Sequence, residues 1–237
     1  MKKSLVITLL SLSGYLSFAQ QDAQFSQNMF NKLAINPGYA GTSQAICITL
    51  FDRQQWTGFP GAPKTFLFSG DAFIAAIKGG LGLTVAQDGL GFEHNMTAKL
   101  AYSFNLPVGP GILGLGLEGG MLQKKLSGTF IAPDGVTNDL AIPAAGASSS
   151  VFDLGFGVYY ATNQLYFGLS STHLPQTSFK ASSYSKYSFD MVRHYYVTAG
   201  YDFPLGSSFD LKPSVFVKSD ATSTQLDANL ICLWNKM

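Results

Sequence analysis

The stretch of the chain from residue 95 to residue 105, NMTAKLAYSFN, alternates strictly between apolar and polar side chains. Leu100 and Phe104 share one parity, and Lys99 falls on the other. Successive side chains of a strand point to opposite sides, so this period predicts a β-strand and excludes a helix. The stretch is longer than the usual strand of a soluble domain, and it matches the roughly 9–11 residues that a tilted strand needs to cross a bilayer. It therefore predicts a transmembrane strand.

The same period recurs along the chain and predicts ten strands. They cover residues 45–53, 64–74, 80–87, 94–105, 112–122, 151–160, 164–172, 193–202, 208–218 and 226–233. Apolar and aromatic side chains share one face of these strands, whereas glycine, small and polar side chains share the other. In an outer-membrane barrel the first face meets lipid and the second faces the interior. The 25 glycines of the chain fit a narrow or side-chain-filled interior.

The connections between these strands give an independent indication of the same architecture. Short connections follow the even-numbered strands, at residues 75–79, 106–111, 161–163 and 203–207. Those after the odd-numbered strands are mostly longer, notably 123–150 and 173–192. Short periplasmic turns and longer external loops are typical of an outer-membrane barrel, whereas a β-sandwich has no reason to alternate in this way.

The composition and the start of the chain indicate an exported membrane protein. Charged residues make up 12 % of the chain, about half the usual share, and aromatic residues make up 14 %. Lys2 and Lys3 precede an apolar stretch at 5–16, and the small residues Ser17 and Ala19 form a cleavage site, which together predict a signal peptide. A soluble exported β-sandwich, lectin or adhesin would normally carry more charge on its exposed face.

These features predict an all-β protein, a transmembrane antiparallel up-and-down β-barrel. The predicted domains are a signal peptide at residues 1–19, an N-terminal periplasmic or plug-like segment at 20–44 and an outer-membrane β-barrel at 45–237. The segment 20–44 shows no periodicity, and its length indicates that it folds into or under the barrel. The predicted localisation is the cell outer membrane.

Few residues of the chain are suited to catalysis or metal binding. His94, His173 and His194 are the candidates for acid–base or metal chemistry, but no cysteine or carboxylate stands at ligand spacing beside them. His94 and His194 begin strands four and eight, which allows them to meet near the barrel rim. No Gly-x-Ser-x-Gly elbow or phosphate-binding loop is present. We therefore expect no enzyme, no cofactor and no metal, and we expect Cys47 and Cys232 to be unpaired thiols.

Two external loops each allow two interpretations. Trp56, Phe59 and Pro60 form an apolar cluster in the first loop, either as part of an aromatic girdle, which is somewhat favoured, or as a docking patch for a partner. The loop 127–150 is uncharged after Asp139. It either folds into the barrel mouth or contacts a partner, and both interpretations stay open.

Several stretches carry a resemblance to a known family. They are QDAQFSQ at 21–27, NKLAINPGYAG at 31–41, RQQWTGF at 53–59, GAPKT at 61–65, FDLGFGVYY at 152–160, GLSSTHL at 168–174 and LKPS at 211–214. The combination resembles the PorP/SprF family of type IX secretion system outer-membrane proteins. Lys32 stands where the family usually has proline, and Gly38 where alanine is commoner. The resemblance marks these motif residues: Phe25, Ser26, Gln27, Asn36, Pro37, Ala40, Gly41, Trp56, Gly61, Ala62, Pro63, Lys64 and His173.

The resemblance implies a role without bond-making chemistry. Members of the family act with the type IX secretion machinery, including its periplasmic ring and peptidoglycan-binding partners, and assist the export or surface anchoring of a secreted adhesin-like cargo, including adhesins used in gliding. An alternative is a passive outer-membrane pore or small-molecule uptake channel. Such a pore would have a lumen lined with charged side chains. The inward positions of these strands are instead largely glycine, serine, threonine and asparagine. The net charge of +1 and the lack of a basic cluster in the sequence argue against a nucleic-acid partner.

The C-terminal end of the chain predicts an open sheet. Strand ten is the weakest of the set and is followed by the residues 234–237, which end without an aromatic side chain. Members of the family usually continue through several more strands. We therefore expect an incomplete barrel, in which strand ten lies at a free edge and is not paired with strand one.

Overall fold

The computed structural model describes residues 28–128, 146–180, 188–206 and 208–234. The signal peptide at 1–19, the motif residues Phe25, Ser26 and Gln27, and most of the loop 127–150 lie outside the described residues. The strands are β1 (Ile46–Gln54), β2 (Lys64–Ile74), β3 (Gly79–Leu90), β4 (Glu93–Val108), β5 (Gly111–Leu126), β6 (Ser148–Ala161), β7 (Leu165–Thr172), β8 (Ser178–Lys180), β9 (Ser188–Asp190), β10 (His194–Tyr201), β11 (Phe203–Leu205), β12 (Phe209–Ser219) and β13 (Thr224–Trp234). Short 3-10 helices span Asn28–Phe30, Pro37–Tyr39 and Ala75–Ile77.

The strands form an antiparallel meander, in which each long strand pairs with its neighbours in the sequence. The order is β1-β2-β3-β4-β5-β6-β7-β10-β12, and β12 also pairs with β11 and β13. The predicted all-β, up-and-down architecture and its ten strands are confirmed. The short strands β8, β9 and β11 were not predicted, since three residues are too few to show a period; β8 and β9 pair with each other between β7 and β10.

In the part of the chain that the structure describes, no helix combines the length and the apolar character needed to span a membrane.

The predicted division of the two faces of the sheet is confirmed. On the face that we call the outer face, Leu100 is 67 % exposed and Leu117 is 62 % exposed. On the opposite face, the inner face, Ser103 is fully buried and Asp153 is 1 % exposed. Leucine is exposed here while serine and aspartate are buried, which is the reverse of a water-soluble sheet. This reversed arrangement is the one expected when lipid surrounds the sheet.

The core lies on the inner face, where the sheet wraps around the N-terminal segment (residues 28–42). Leu33 of this segment packs with Ala101 of β4. Ile35 packs with Tyr196 of β10 and Phe216 of β12. Because side chains two residues apart reach strands from the beginning and from the end of the meander, the sheet curls around the segment.

The predicted alternation of connection lengths is found only in part. The connections from β1 to β2, from β5 to β6 and from β7 to β10 are long. However, β3 and β4 are joined by residues 91–92 alone, and β12 and β13 by residues 220–223. Residues 88–90 and Glu93, which the sequence predicts to lie in a loop, instead continue the β3–β4 ladder. The carboxylates of Asp88 and Glu93 face inward and bond to neighbouring side chains.

The two outermost strands of the sheet are not paired with each other within the described residues. β1 pairs with β2 and β13 pairs with β12, and no ladder joins β1 to β13 among these strands. The predicted free edge at the last strand is therefore found. Cys47 on β1 and Cys232 on β13 are free thiols, as expected.

Candidate functional site on the inner face

Asn36 attaches the N-terminal segment to the middle of the sheet. Its side-chain oxygen accepts a hydrogen bond from the backbone N–H of Gly38 at 2.8 Å, which caps the second 3-10 helix. Its amide nitrogen donates to the carbonyl oxygens of Val158 at 3.0 Å and Leu169 at 3.2 Å, on β6 and β7. With a side chain 1 % exposed, Asn36 has its amide bonded at both ends, as burial of a polar group requires.

Polar side chains of β2, β4 and β7 also bind the backbone of the segment. Ser103 on β4 donates to the carbonyl oxygen of Gly38 at 3.0 Å, and Asn105 on the same strand donates to that of Ala40 at 3.3 Å. Asp71 on β2 accepts a hydrogen bond from the N–H of Gly41 at 2.8 Å. Ser170 on β7 donates to the carbonyl oxygen of Ile35. The inner face is therefore a receptor for the backbone of the N-terminal segment, which folds as 3-10 helices and turns.

Glycines on the inner face allow the segment to approach the sheet. A Cβ atom on Gly114 would overlap the carbonyl oxygen of Gly38, and a Cβ on Gly116 would overlap the backbone of Pro37 and Gly38. Both glycines lie on β5 at successive inward positions. The glycine content that predicted a narrow or filled interior therefore forms a groove for the backbone of the segment.

Aromatic rings enclose one side of the segment. The ring of Tyr39 meets that of Tyr159 edge-on at 5.2 Å, and Tyr159 stacks on Tyr166 at 6.0 Å. The Lys32 ammonium lies 3.5 Å from the ring centre of Tyr166, a cation–π contact. Burial lowers the pKa of Lys32 to about 8, while the carboxylate of Asp202 acts in the opposite direction. Burial also raises the pKa of Tyr39.

A buried ion cluster joins β4, β5, β6 and the loop after β7. The Lys99 ammonium lies 2.9 Å from the Glu118 carboxylate and 3.0 Å from that of Asp153. The same oxygen of Asp153 lies 3.0 Å from Nδ1 of His173. His173 has a left-handed backbone, with φ of 57°, at the point where the chain leaves the sheet. The cluster therefore neutralises charge on the inner face and holds the start of the loop 173–193.

The hypothesis that His94 meets His194 is wrong. His194 lies 5.5 Å from His173 between ring centres and stacks on Tyr196. His94 lies on β4, with β5, β6 and β7 between it and the strand of His194, and it is exposed on the outer face. No group of three metal-ligating side chains occurs within the described ranges.

The other motif residues lie in the first loop, away from the segment. Trp56 is 70 % exposed with φ of 50°. The carbonyl oxygen of Gly61 accepts a hydrogen bond from the N–H of Gly91 at 2.9 Å, and that of Pro63 accepts one from Gln55 at 3.0 Å. Ala62 donates to Phe59, and Lys64 begins β2. The motif residues thus form three separate groups: Asn36, Pro37, Ala40 and Gly41 in the segment, Trp56 to Lys64 in the loop, and His173 in the ion cluster.

Apart from His173, sequence reasoning did not single out the residues that receive the segment or build the ion cluster. Lys99, Glu118 and Asp153 are charged residues of opposite sign at inward positions of three consecutive strands. That juxtaposition was available from the parity once the strands were aligned. Ser103 and Asn105 carried no comparable signal, because serine and asparagine at inward positions are also ordinary lumen residues.

The inverted faces and strands of up to 16 residues define a membrane protein of the β-barrel type, whose meander is open here. The model of the family described as type IX secretion system membrane protein PorP/SprF matches residues 17–237, and the chain belongs to this family. It is therefore a membrane component of the type IX secretion system, and family membership implies that it interacts with that machinery. No curated protein and no solved structure matches the chain.

Proposed function

We propose that the protein is an outer-membrane component of type IX secretion that assists the export or surface anchoring of a secreted adhesin-like cargo. It works beside the periplasmic ring or a peptidoglycan-binding partner of the machinery and performs no bond-making chemistry. The observation that supports the proposal is that the N-terminal segment of the chain fills the inner face of the sheet. Asn36 of the segment bonds to the sheet, and the sheet residues Ser103, Asn105 and Asp71 bond to the segment. These hydrogen bonds satisfy the polar side-chain atoms of all four residues.

We also propose that residues 20–44 act as a plug that braces the sheet from inside. The described part of the plug contacts strands from β2 to β12. A sheet braced in this way is a rigid platform, which suits the holding of a partner more than the passage of solutes. In this proposal the motif residues Asn36, Pro37, Ala40 and Gly41 seat the plug, and His173 positions the loop 173–193.

The rival function is a passive pore. A cavity of about 710 Å³ between the segment and the far strands favours it, with Lys32, Tyr39, Asp202 and Lys212 among its lining residues. A solute would have to pass this cavity and then displace the segment that fills the groove beyond it. The two functions therefore differ in what the loss of the protein changes.

A deletion strain separates them. If the protein acts in secretion, its loss removes particular proteins from the cell surface and leaves permeability to small solutes unchanged. Surface proteomics and a solute-uptake assay on the same cells measure both effects, with the wild-type gene returned as the control. A normal surface proteome with impaired uptake contradicts the proposal and favours the pore.

The membrane placement has its own test. Leu100→Arg puts a charge on the outer face, and an arginine near the middle of the bilayer costs roughly 2–4 kcal/mol. Thr97→Arg, on the inner parity of the same strand, is the matched variant. We expect Leu100→Arg to reduce the amount of protein recovered in outer-membrane fractions much more than Thr97→Arg; the reverse order contradicts the assignment of the faces.

A further inference from the structure

The outer face carries a row of basic side chains at one end. The register aligns six outward positions across β1 to β6, which we call the basic row: Gln54, Lys64, Gly89, His94, Lys125 and Ser148. This row has two lysines and a histidine and no carboxylate. Neighbouring strands lie about 4.8 Å apart, so Lys64 and Lys125, three strands apart, are separated by roughly 14 Å.

Lys99 and Lys124 of the inner face are matched by acids, but the lysines of the basic row are not. Lys124 on the inner side of the same level lies 3.1 Å from the Glu93 carboxylate, and Lys99 is held by two acids. Neither Lys64 nor Lys125 has a carboxylate within ion-pair distance anywhere in the described residues. The outer rim is therefore positively charged on the side that faces lipid.

A cavity lies over the part of this row on β1 to β4, and Lys125 on β5 lies beside it. The first loop and the outer face of β1 to β4 enclose about 800 Å³, with Lys64, His94, Gln54 and Gln87 among the polar lining residues. The hydrogen bond from the N–H of Gly91 to the carbonyl oxygen of Gly61 holds the loop against the β3–β4 turn. Asp52 is the one acid lining the cavity, and its carboxylate accepts a hydrogen bond from the Gln54 amide at 3.1 Å. The donors that remain suit an anion.

The cavity opens onto the apolar band of the outer face. One row below Phe66, which lines the cavity, the aligned outward residues are Leu50, Phe68 and Val85. On β4 the apolar band runs from Met96 to Leu106, which is about 33 Å along the strand and roughly 25 Å of membrane thickness at a tilt of about 40°. An occupant of the cavity therefore has an anionic head among the donors and apolar chains along the band.

The opposite rim has a different chemistry. There the hydroxyls of Tyr102 and Tyr160 donate to the carbonyl oxygens of Ile77 and Val108, as in an aromatic belt. The two rims therefore differ in side-chain chemistry, with aligned lysines at one and tyrosine hydroxyls at the other.

We propose that the cavity under the first loop, together with the basic row, binds the phosphate-bearing headgroup of an anionic membrane lipid. The ammonium groups of Lys64 and Lys125 and the His94 ring contact the headgroup, the Gln54 and Gln87 amides add donors, and the acyl chains lie on the apolar band. This inference rests on the proposed placement of the outer face in lipid. It also gives the first loop a role as the wall of a lipid site.

The test uses the full chain in vesicles and reads the lipid next to Trp56, at the edge of the cavity. Trp234→Phe leaves Trp56 as the sole tryptophan of the two. Quenching by brominated phosphatidylglycerol is compared with quenching by brominated phosphatidylcholine. A lysine near an anionic headgroup contributes about a fivefold preference, so we expect roughly 25-fold selectivity for phosphatidylglycerol from two lysines. The selectivity falls in high salt.

The variants locate the effect. Lys64→Gln with Lys125→Gln brings the selectivity close to one, and Lys125→Gln alone lowers it about fivefold. Lys78→Asn is the control, because it removes a lysine from the opposite rim and should leave the selectivity unchanged. The backbone φ of Lys78 is 50°, a conformation that asparagine tolerates.

Two results overturn the inference, and a third bears on its basis. Equal quenching by both lipids in wild-type protein shows that no anionic lipid is selected. Loss of the selectivity when inorganic phosphate is added at low concentration shows that the site takes free phosphate. Protein that does not float with the vesicles refutes the membrane placement itself, and so refutes the proposed function and the inference together.

Discussion

Replacing Asn36 by alanine tests whether one side chain holds the segment in the sheet. The substitution removes hydrogen bonds at 2.8, 3.0 and 3.2 Å and leaves the buried N–H of Gly38 without its acceptor. A hydrogen bond contributes about 0.5–1.5 kcal/mol net, and an orphaned buried donor costs about 1–3 kcal/mol. Since Asn36 is almost fully buried, the sum is on the order of 3 kcal/mol.

Hydrogen exchange measures this cost where it arises. Opening of the segment exposes the amides of residues 31–42, and a loss of about 3 kcal/mol increases their exchange roughly 150-fold. Asn163→Ala is the matched control, because Asn163 lies exposed in the turn between β6 and β7. Asn36→Asp keeps the acceptor for Gly38 but turns an oxygen toward two carbonyl oxygens, so we expect it to open the segment at least as much as Asn36→Ala.

The outcome that refutes this reasoning is specific. If Asn36→Ala and Asn163→Ala exchange within about twofold of each other over residues 31–42, the three hydrogen bonds do not hold the segment. The seating would then have to come from the apolar contacts of Leu33 and Ile35.

Three further predictions follow from the same site. Gly116→Val should expel the segment, because the valine side chain enters the groove. Gly119→Val on the outer face of the same strand meets only side chains at 3.5 Å and should be tolerated. The protease sensitivity of the segment distinguishes the two variants. Asp153→Ala leaves the buried Lys99 and His173 without their shared acid, so it should lower the free energy of unfolding in urea by about 3–5 kcal/mol. Lys212→Ala breaks an ion pair that is about one-third exposed and should lower it by less than about 1 kcal/mol. The pKa of Lys32 is about 8 when the segment is seated and 10.5 ordinarily, so the released segment binds the proton more tightly and seating should gain up to roughly 3 kcal/mol as pH rises from 8 to 10.5. Protease protection across that range checks this, and Lys32→Met should show no such pH dependence.

The strands could be predicted from the sequence because their signal is local. A period of two is visible within a few residues, and it placed Leu100 outside and Ser103 inside without knowledge of any neighbour. The extent of the strands was less accessible, since polar residues such as Asp88 continue the ladder beyond the apolar band.

The site on the inner face could be predicted only in outline. Asn36 reaches partners 122 and 133 residues away, and no local pattern encodes such a separation. A polar segment that folds under the barrel was expected, but the strands that receive it depend on how far the sheet curls. The ion cluster lay within reach, because Lys99 and Glu118 have opposite signs on the same parity of neighbouring strands.

The position of the segment inside the sheet also constrains the order of assembly. The segment precedes every strand that it contacts, and Ile35 meets Phe216 only after almost the whole sheet is in place. A sheet that curled first would have to admit the segment through one end, whereas a segment bound early to β2 and β4 can template the strands that follow. Contacts so distant in sequence are slow to form. Bonds to Asp71 and Ser103, if formed early, would shorten the search that the later strands must make.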